Sequence, residues 1–243
     1  MNDLELVHNT AKSNYKKTSP WPETDVWHSW TKRIINNYVQ TTLTSLDLSK
    51  EQIILNAGCE RTTYESAGTM IYMDIVEEYV RDFDNGLVAS VENIPLESSS
   101  IDVVICVGSV VNYTDIQKVF SEFSRILVPG GYLILEYERS NSAEFILYKN
   151  YAKTVFLKNY HYNKQTHNLF MYDERFVLSL SDYYGFSVVR KHRFHVISSL
   201  LYRFGVTENK AAQFSFLDKF TQPISFPFAH NEIILYRKRS RRN

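Results

Sequence analysis

Residues 51–58, EQIILNAG, run as a short apolar stretch that stops on Gly58, and an acid, Asp74, closes the next apolar stretch, IYMDI, sixteen residues later. A strand that ends on a glycine delivers backbone to a tight turn. An acid at the end of the following strand can accept hydrogen bonds from both hydroxyls of a ribose. The pair therefore reads as the opening of a nucleotide-type cofactor site, although one glycine and one acid also occur near many unrelated pairs of strands. Three further groups have proton chemistry. Glu136 and Glu138 end the apolar run YLILEYE, where either serves as a base or amine ligand if it faces a pocket, and as a solvated strand end otherwise. His195, in RKHRFHV, is a candidate general base near neutral pH, the competing reading being a core histidine.

These residues are useful only if the chain brings strand ends together, and its texture does. After IILNA come a polar turn and an expected helix start near Thr62–Thr63, then the strand IYMDI, a short helix VEEYVRDF and the strand GLVAS. IDVVICVGSV is rich in β-branched residues, as expected of a strand buried on both faces. In the next segment Asp115 is a cap, and Ile116, Val119, Phe120, Phe123, Ile126 and Leu127 form one apolar stripe; Pro129-Gly130-Gly131 is expected to stop this helix before YLILEYE. Strand and helix alternating at this pace mean parallel pairing with right-handed crossovers and a ligand site at the carboxyl ends of the strands.

The segments VENIPL (91–96), IDVV (101–104) and RILVPGG (125–131) sharpen this reading. With them, residues 51–138 closely, and 186–195 and 232–238 more loosely, resemble the class I S-adenosylmethionine-dependent methyltransferases that act on small molecules. The resemblance implies an α/β fold: a Rossmann-like, doubly wound, mostly parallel seven-stranded sheet with N-terminal helices and two cap insertions. Residues 1–48 are then a helical preface with Trp30, Ile34, Tyr38, Leu43 and Leu46 as its apolar face, and Pro22 and Thr24–Asp25 as start signals. Residues 49–243 are the methyltransferase domain, with a core at 51–140 and insertions at 141–172 and 197–229.

By the same resemblance, Asn56, Ala57, Gly58 and Cys59 pass under the methionine part of S-adenosyl-L-methionine, Asp74 binds the ribose and Ile75 packs on the adenine. Ser90 and Val91 lie where the adenine edge is read, and Val107 and Gly108 floor the site near the reactive methyl. Asn112 and Tyr113 fall where such enzymes place acceptor-side residues, with a satisfied loop pair as the alternative; Trp27, Trp30 and Tyr15 close over the cofactor from the preface. Three positions depart from the pattern: Asn56 stands where an acid is usual, Glu60 interrupts the G-x-G turn, and Ser90 replaces the adenine-reading Asp. If Glu60 points outward or pairs with Arg61 it does little harm, and Arg61, Thr62 and Thr63 are candidates to hold the cofactor carboxylate.

The expected activity is methyl transfer to oxygen or nitrogen of a small or medium-sized acceptor. A non-catalytic cofactor-binding or regulatory protein, and an RNA or protein methyltransferase, are the alternatives. The 27 basic and 27 acidic residues cancel, so the overall charge does not point to nucleic acid or an anionic membrane. The exception is the tail YRKRSRRN, with five basic residues in the last seven. Cys59 and Cys106 have no framework spacing, and His161 and His167 no metal-ligand spacing, so a cytoplasmic, metal-free protein without a membrane span is expected.

Overall fold

The computed structural model describes residues 3–15, 25–162, 165–221 and 226–240. Pro22, Thr24 and the end of the basic tail lie outside them. Two helices open the chain, α1 (Asp3–Tyr15) and α2 (Val26–Ser45), followed by β1 (Ile53–Ala57), β2 (Thr69–Asp74), α3 (Glu77–Val80), β3 (Gly86–Val88), β4 (Ile101–Cys106), a 3₁₀ turn at Val110–Tyr113, α4 (Ile116–Ile126) and β5 (Leu127–Glu138). The second half carries the hairpin β6 (Val155–Tyr162) and β7 (Gln165–Tyr172), then α5 (Glu174–Tyr183), β8 (Phe186–Phe194), α6 (Ile197–Arg203), α7 (Glu208–Ala212), α8 (Asp218–Thr221) and β9 (Asn231–Lys238).

Seven strands form one sheet in the order β3-β2-β1-β4-β5-β9-β8, with β9 antiparallel to both neighbours and the other pairs parallel. The chain leaves β1 in opposite directions along the sheet, toward β2 and toward β4. The carboxyl ends of β1 and β4 therefore bound the crevice in which such sheets bind ligands. β4 is buried along nearly its whole length. On one face the α4 stripe of Ile116, Val119, Phe120, Phe123 and Ile126 packs on Leu55, Val104, Leu133 and Leu135. Asp115 caps α4 by accepting from the backbone N–H groups of Gln117 and Lys118.

Three local expectations change. No helix follows the first turn: β1 and β2 are joined by residues 58–68 without one. The segment is held as a turn, the Thr62 N–H donating to the Cys59 carbonyl at 2.8 Å and the Asn56 amide to the Thr62 carbonyl at 2.9 Å. α2 covers the sheet there instead, Ile35, Val39 and Leu43 packing on Ile54, Val103, Ile105 and Ile134. Its buried side is Trp27, Thr31, Ile35, Val39, Thr42 and Leu43, about one residue round from the stripe the sequence suggested, while Ile34, Tyr38 and Leu46 pack at its margin. Asp25 caps it, accepting from the His28 N–H at 3.0 Å. Finally, Pro129-Gly130-Gly131 does not stop α4. The backbone turns extended at Leu127, and the three residues form an irregularity inside β5, between the pairs Ile101↔Leu127 and Val103↔Tyr132.

The segment 141–172 begins with a 3₁₀ turn (Ala143–Phe145) and ends in the β6–β7 hairpin, to which α1 is tied by the Asn14 amide donating to the Thr166 carbonyl at 2.8 Å. Residues 197–217 fold as α6, α7 and a further 3₁₀ turn, with Ala211 and Ala212 against Trp27. Among the described residues, no helix is long and apolar enough to cross a membrane.

Candidate active site

Two adjoining cavities open at the carboxyl ends of the parallel strands. The first, about 300 Å³, lies between the ends of β1, β2 and β4 and the helices α1 and α2. The second, about 340 Å³, lies between β5, the β6–β7 hairpin, α2 and α7. Tyr15, Gly108 and Tyr113 line both, so the two chambers meet there. Both volumes fall within the range of small-ligand pockets.

Nine of the ten residues expected to bind cofactor line the first cavity: Asn56, Gly58 and Cys59 at the turn, Asp74 and Ile75 after β2, Ser90 and Val91 after β3, and Val107 and Gly108 after β4. Ala57 is buried beneath them and does not reach it. The turn is built differently from the expected glycine-rich loop. The N–H groups of Gly58 and Cys59 both donate to the Met73 carbonyl, at 2.7 and 3.1 Å, and so are committed to the protein. Asp74 braces the same turn, one oxygen accepting from Glu60 N–H and the other from Val76 N–H, each at 3.0 Å. Each oxygen keeps a lone pair for a ribose hydroxyl. Burial pushes the Asp74 carboxyl up, against the stabilising N–H groups of Val76 and Glu60.

The Asn56 amide N–H donates to the Thr62 carbonyl at 2.9 Å, which fixes the side chain at the cavity wall, and its oxygen can only accept without the charge of the usual acid. Glu60 points into the cavity and not outward. Its carboxylate lies 3.9 Å from the ammonium of Lys32 on α2, while Arg61 instead donates to the Glu78 carbonyl. One anion and one cation thus face each other where the amino-acid end of the cofactor is expected. That end is itself a zwitterion, and the residues fit it: Lys32 is suited to the carboxylate and Glu60 to the ammonium. Thr62 also lines the cavity; Thr63 does not. At the opposite end, His8 of α1 sits 3.0 Å from Glu92.

The four residues proposed for catalysis separate. Tyr113 faces both cavities, its ring meeting Tyr15 edge to face with centroids 5.6 Å apart. Asn112, Glu136 and His195 are fully buried and line neither cavity. The Asn112 amide donates to the carbonyls of Phe170 (2.7 Å) and Glu138 (3.1 Å), and its oxygen accepts from the Glu138 N–H (3.0 Å). It pins the end of β5 and touches no ligand space. Glu136 accepts from the Gly108 and Ser109 N–H groups, at 2.9 and 2.6 Å, and from the Asn231 amide at 2.7 Å. It shapes the turn after β4. His195 stacks on Trp27 at 4.1 Å, with Thr31 and Ser198 hydroxyls 2.8 Å from its two nitrogens, and burial pushes its pKa well down. Neutral and satisfied, it is a core histidine. Trp27 lines the second cavity, and Trp30 lines neither.

The second cavity brings together residues that are far apart in sequence. Glu138 accepts from the Ser109 hydroxyl at 2.8 Å and lies 3.1 Å from His230 Nε2. The other ring nitrogen of His230 faces the Ser142 hydroxyl at 3.1 Å and Glu144 at 3.4 Å. Burial disfavours the charged imidazole, but the hydrogen bond to Glu138 and the charges of Glu138 and Glu144 outweigh it, and the His230 pKa rises. Burial likewise opposes the Glu138 carboxylate, yet His230 and Ser109 hold it below the usual range. Lys158 lies 3.6 Å from Glu144, and His167 3.4 Å from the Tyr113 hydroxyl. Asp25, His28 and Glu208 gather at the rim near enough to be considered as cation ligands. Glu138 was visible in sequence as one of two strand-end acids; His230 and Glu144 carried no signal of their own.

Residues 29–135 match the family model described as a methyltransferase domain. Over 72 residues the chain is 36% identical to the ubiquinone/menaquinone biosynthesis C-methyltransferase UbiE of Campylobacter jejuni, a match spanning 29% of each protein. Among solved structures, a Burkholderia thailandensis 1,6-didemethyltoxoflavin-N1-methyltransferase with bound 1,6-didemethyltoxoflavin and S-adenosylhomocysteine superposes with a TM-score of 0.56 at 13% identity, covering 97% of this chain and 88% of that one. The [4+2]-cyclase SpnF gives a TM-score of 0.56 at 14% identity, covering 98% and 94%. At such identities these two likenesses speak for the fold alone. Residues 29–135 thus match a methyltransferase domain, and the sheet that carries them has the fold of a solved S-adenosylhomocysteine-bound methyltransferase.

Proposed function

We propose that this protein transfers a methyl group from S-adenosylmethionine to a nitrogen or oxygen of a small or medium-sized acceptor held in the second cavity. The observation that carries the reading is the junction at Tyr15, Gly108 and Tyr113, which both cavities share. When bound, the cofactor supplies a methyl group on a positively charged sulfur. The chain's own part is to hold that group and the acceptor in line, and alignment alone accounts for a large share of such a rate. Asp74 holds the ribose, Lys32 and Glu60 the amino-acid end, and Tyr15 and Tyr113 exclude water between the chambers.

Calorimetric titration with S-adenosylhomocysteine tests the reading. The wild type should bind it, and Lys32→Met or Asp74→Asn should weaken binding by about tenfold or more, the worth of a charge-assisted hydrogen bond. No binding at millimolar ligand refutes the proposal. A second reading, a cofactor-binding protein without transferase activity, is favoured by the turn whose N–H groups are spent on Met73. It is supported instead if the homologue binds normally but no nitrogen or oxygen acceptor is methylated.

A further inference from the structure

We propose that the acceptor is an amine and that Glu138 binds its nitrogen, an inference that rests on the methyl-transfer reading above. The charges facing the second cavity come from six elements and one loop: His28 on α2, Glu138 on β5, Glu144 on the following 3₁₀ turn, Lys158 and His161 on β6, His167 on β7, Glu208 on α7, and His230 in the loop just before β9. Three are carboxylates, and the two strongest cations are already matched to them. Lys158 lies over the Tyr160 ring and beside Glu144, and His230 sits between Glu138 and Glu144. His28 is 3.1 Å from Asp25, which lies next to the cavity. An acceptor bearing a carboxylate or phosphate would add an anion to three, with no unmatched lysine or arginine among the described residues of the wall. A cation meets the opposite field, and the rings of Tyr15, Trp27, Tyr113 and Tyr160 add a surface that attracts positive charge.

Glu138 stands at the right place in this wall. Its hydrogen-bond partner Ser109 follows Gly108, which both chambers share. His230 lies between the carboxylates of Glu138 and Glu144, which favour its charged form, and that charge with the Ser109 hydroxyl favours Glu138 as an ionised acceptor. With roughly two lone pairs used by Ser109 and His230, about two remain for N–H groups of an incoming ligand. The bound ammonium first gives one proton to water, and its neutral nitrogen, still donating an N–H to Glu138, then takes the methyl carbon from sulfur as the carbon–sulfur bond breaks. The sulfur leaves as a neutral thioether, the positive charge arrives on nitrogen, and one proton is then lost from nitrogen to water. Glu138 lies on the side to which the charge moves, so it stabilises the transition state more than the ground state.

The test uses the full chain saturated with S-adenosylhomocysteine, whose own binding is measured first. Ethylamine, phenethylamine and tryptamine are titrated against their matched alcohols and carboxylic acids near neutral pH, with thermal shift and calorimetry as readouts. The proposal expects at least one amine to bind about tenfold or more tightly than its matched alcohol and acid, and Glu138→Gln to erase that preference. It is overturned if the acids or alcohols bind as well as the amines, if none of the amines binds, or if Glu138→Gln keeps the preference. The ranking on the wild type decides the matter even if the variant fails to fold. Absence of S-adenosylhomocysteine binding would instead refute the cofactor reading beneath it.

Discussion

Replacing Gly58 by alanine is a quantitative test of how the first turn shapes the cofactor cavity. Gly58 has φ +73°, and a Cβ built there would lie 2.4 Å from Val110 Cγ2 and 3.1 Å from Cγ1. The left-handed conformation costs a residue with a Cβ about 1–2 kcal/mol. Forcing an extra methyl into the contact costs about 1–3 kcal/mol more. The single variant should therefore lose about 2–5 kcal/mol of stability, measured by denaturant unfolding. Because Val110 lines the cavity, its displacement should also weaken S-adenosylhomocysteine binding. Val110→Ala removes both Cγ atoms, after which the nearest atom to the new Cβ is the Cβ of residue 110, at an ordinary 3.4 Å. In that background Gly58→Ala should cost only the backbone part, about 1–2 kcal/mol, and binding should recover. If the two penalties simply add, or if the single variant is neutral, the steric argument is wrong.

Two buried groups give further predictions. Burial, against hydrogen bonds from Asn231 and the Ser109 and Gly108 N–H groups, pushes the Glu136 carboxyl from its ordinary 4.5 up to about 7. The folded protein then holds this proton more tightly than the unfolded chain, so Glu136 lowers stability progressively as pH rises from about 4.5 to about 7, by on the order of 3 kcal/mol, and no further above that. Glu136→Gln should flatten this limb of the pH–stability curve; an unchanged slope would count against a buried, protonatable Glu136. Arg139, 1% exposed, donates to Glu174 at 3.0 Å and to the Ala229 carbonyl at 3.1 Å, and lies 3.8 Å from the buried Glu232. Arg139→Met should cost about 3 kcal/mol, at the low end for breaking a buried pair, because Arg193 still neutralises both acids. A loss below about 1 kcal/mol in chemical denaturation would mean that the cluster is redundant.

Local patterns made much of the fold legible. β-Branched runs of strand length, a capped amphipathic α4 and short spacings leave few arrangements other than a parallel sheet with its ligand crevice at the strand ends. Gly58 and Asp74 were readable for the same reason, since one follows and the other ends a strand that the pattern locates, while Ile75 and Gly108 came from the resemblance. The missing helix after β1 was hidden because CERTTYESAG contains no periodicity to contradict a helix, and only side-chain ties such as the Asn56 amide to the Thr62 carbonyl hold it as a turn. The one-residue error in the α2 stripe has a similar cause: Thr31 and Thr42 lie on the buried side, and a polar residue on the packed face carries no hydropathy signal.

The catalytic candidates show where sequence stops. Residues near a strand end can be named, but whether a side chain faces ligand or backbone depends on partners remote in the chain. Asn112 is claimed by Phe170, Glu136 by Asn231, and His195 by Thr31 and Trp27. By itself the sequence determined the sheet and the crevice at its strand ends, because those follow from local periodicity and from turns that a few residue types must make, while the class of cofactor came from the resemblance carried by VENIPL, IDVV and RILVPGG. Only the tertiary structure decided that Glu60 faces Lys32 and that Glu138, Glu144 and His230 share one cavity wall. Those groups meet through crossovers and insertions between 6 and about 90 residues long, and electrostatic environment is a property of what surrounds a side chain in space, not of its neighbours along the chain.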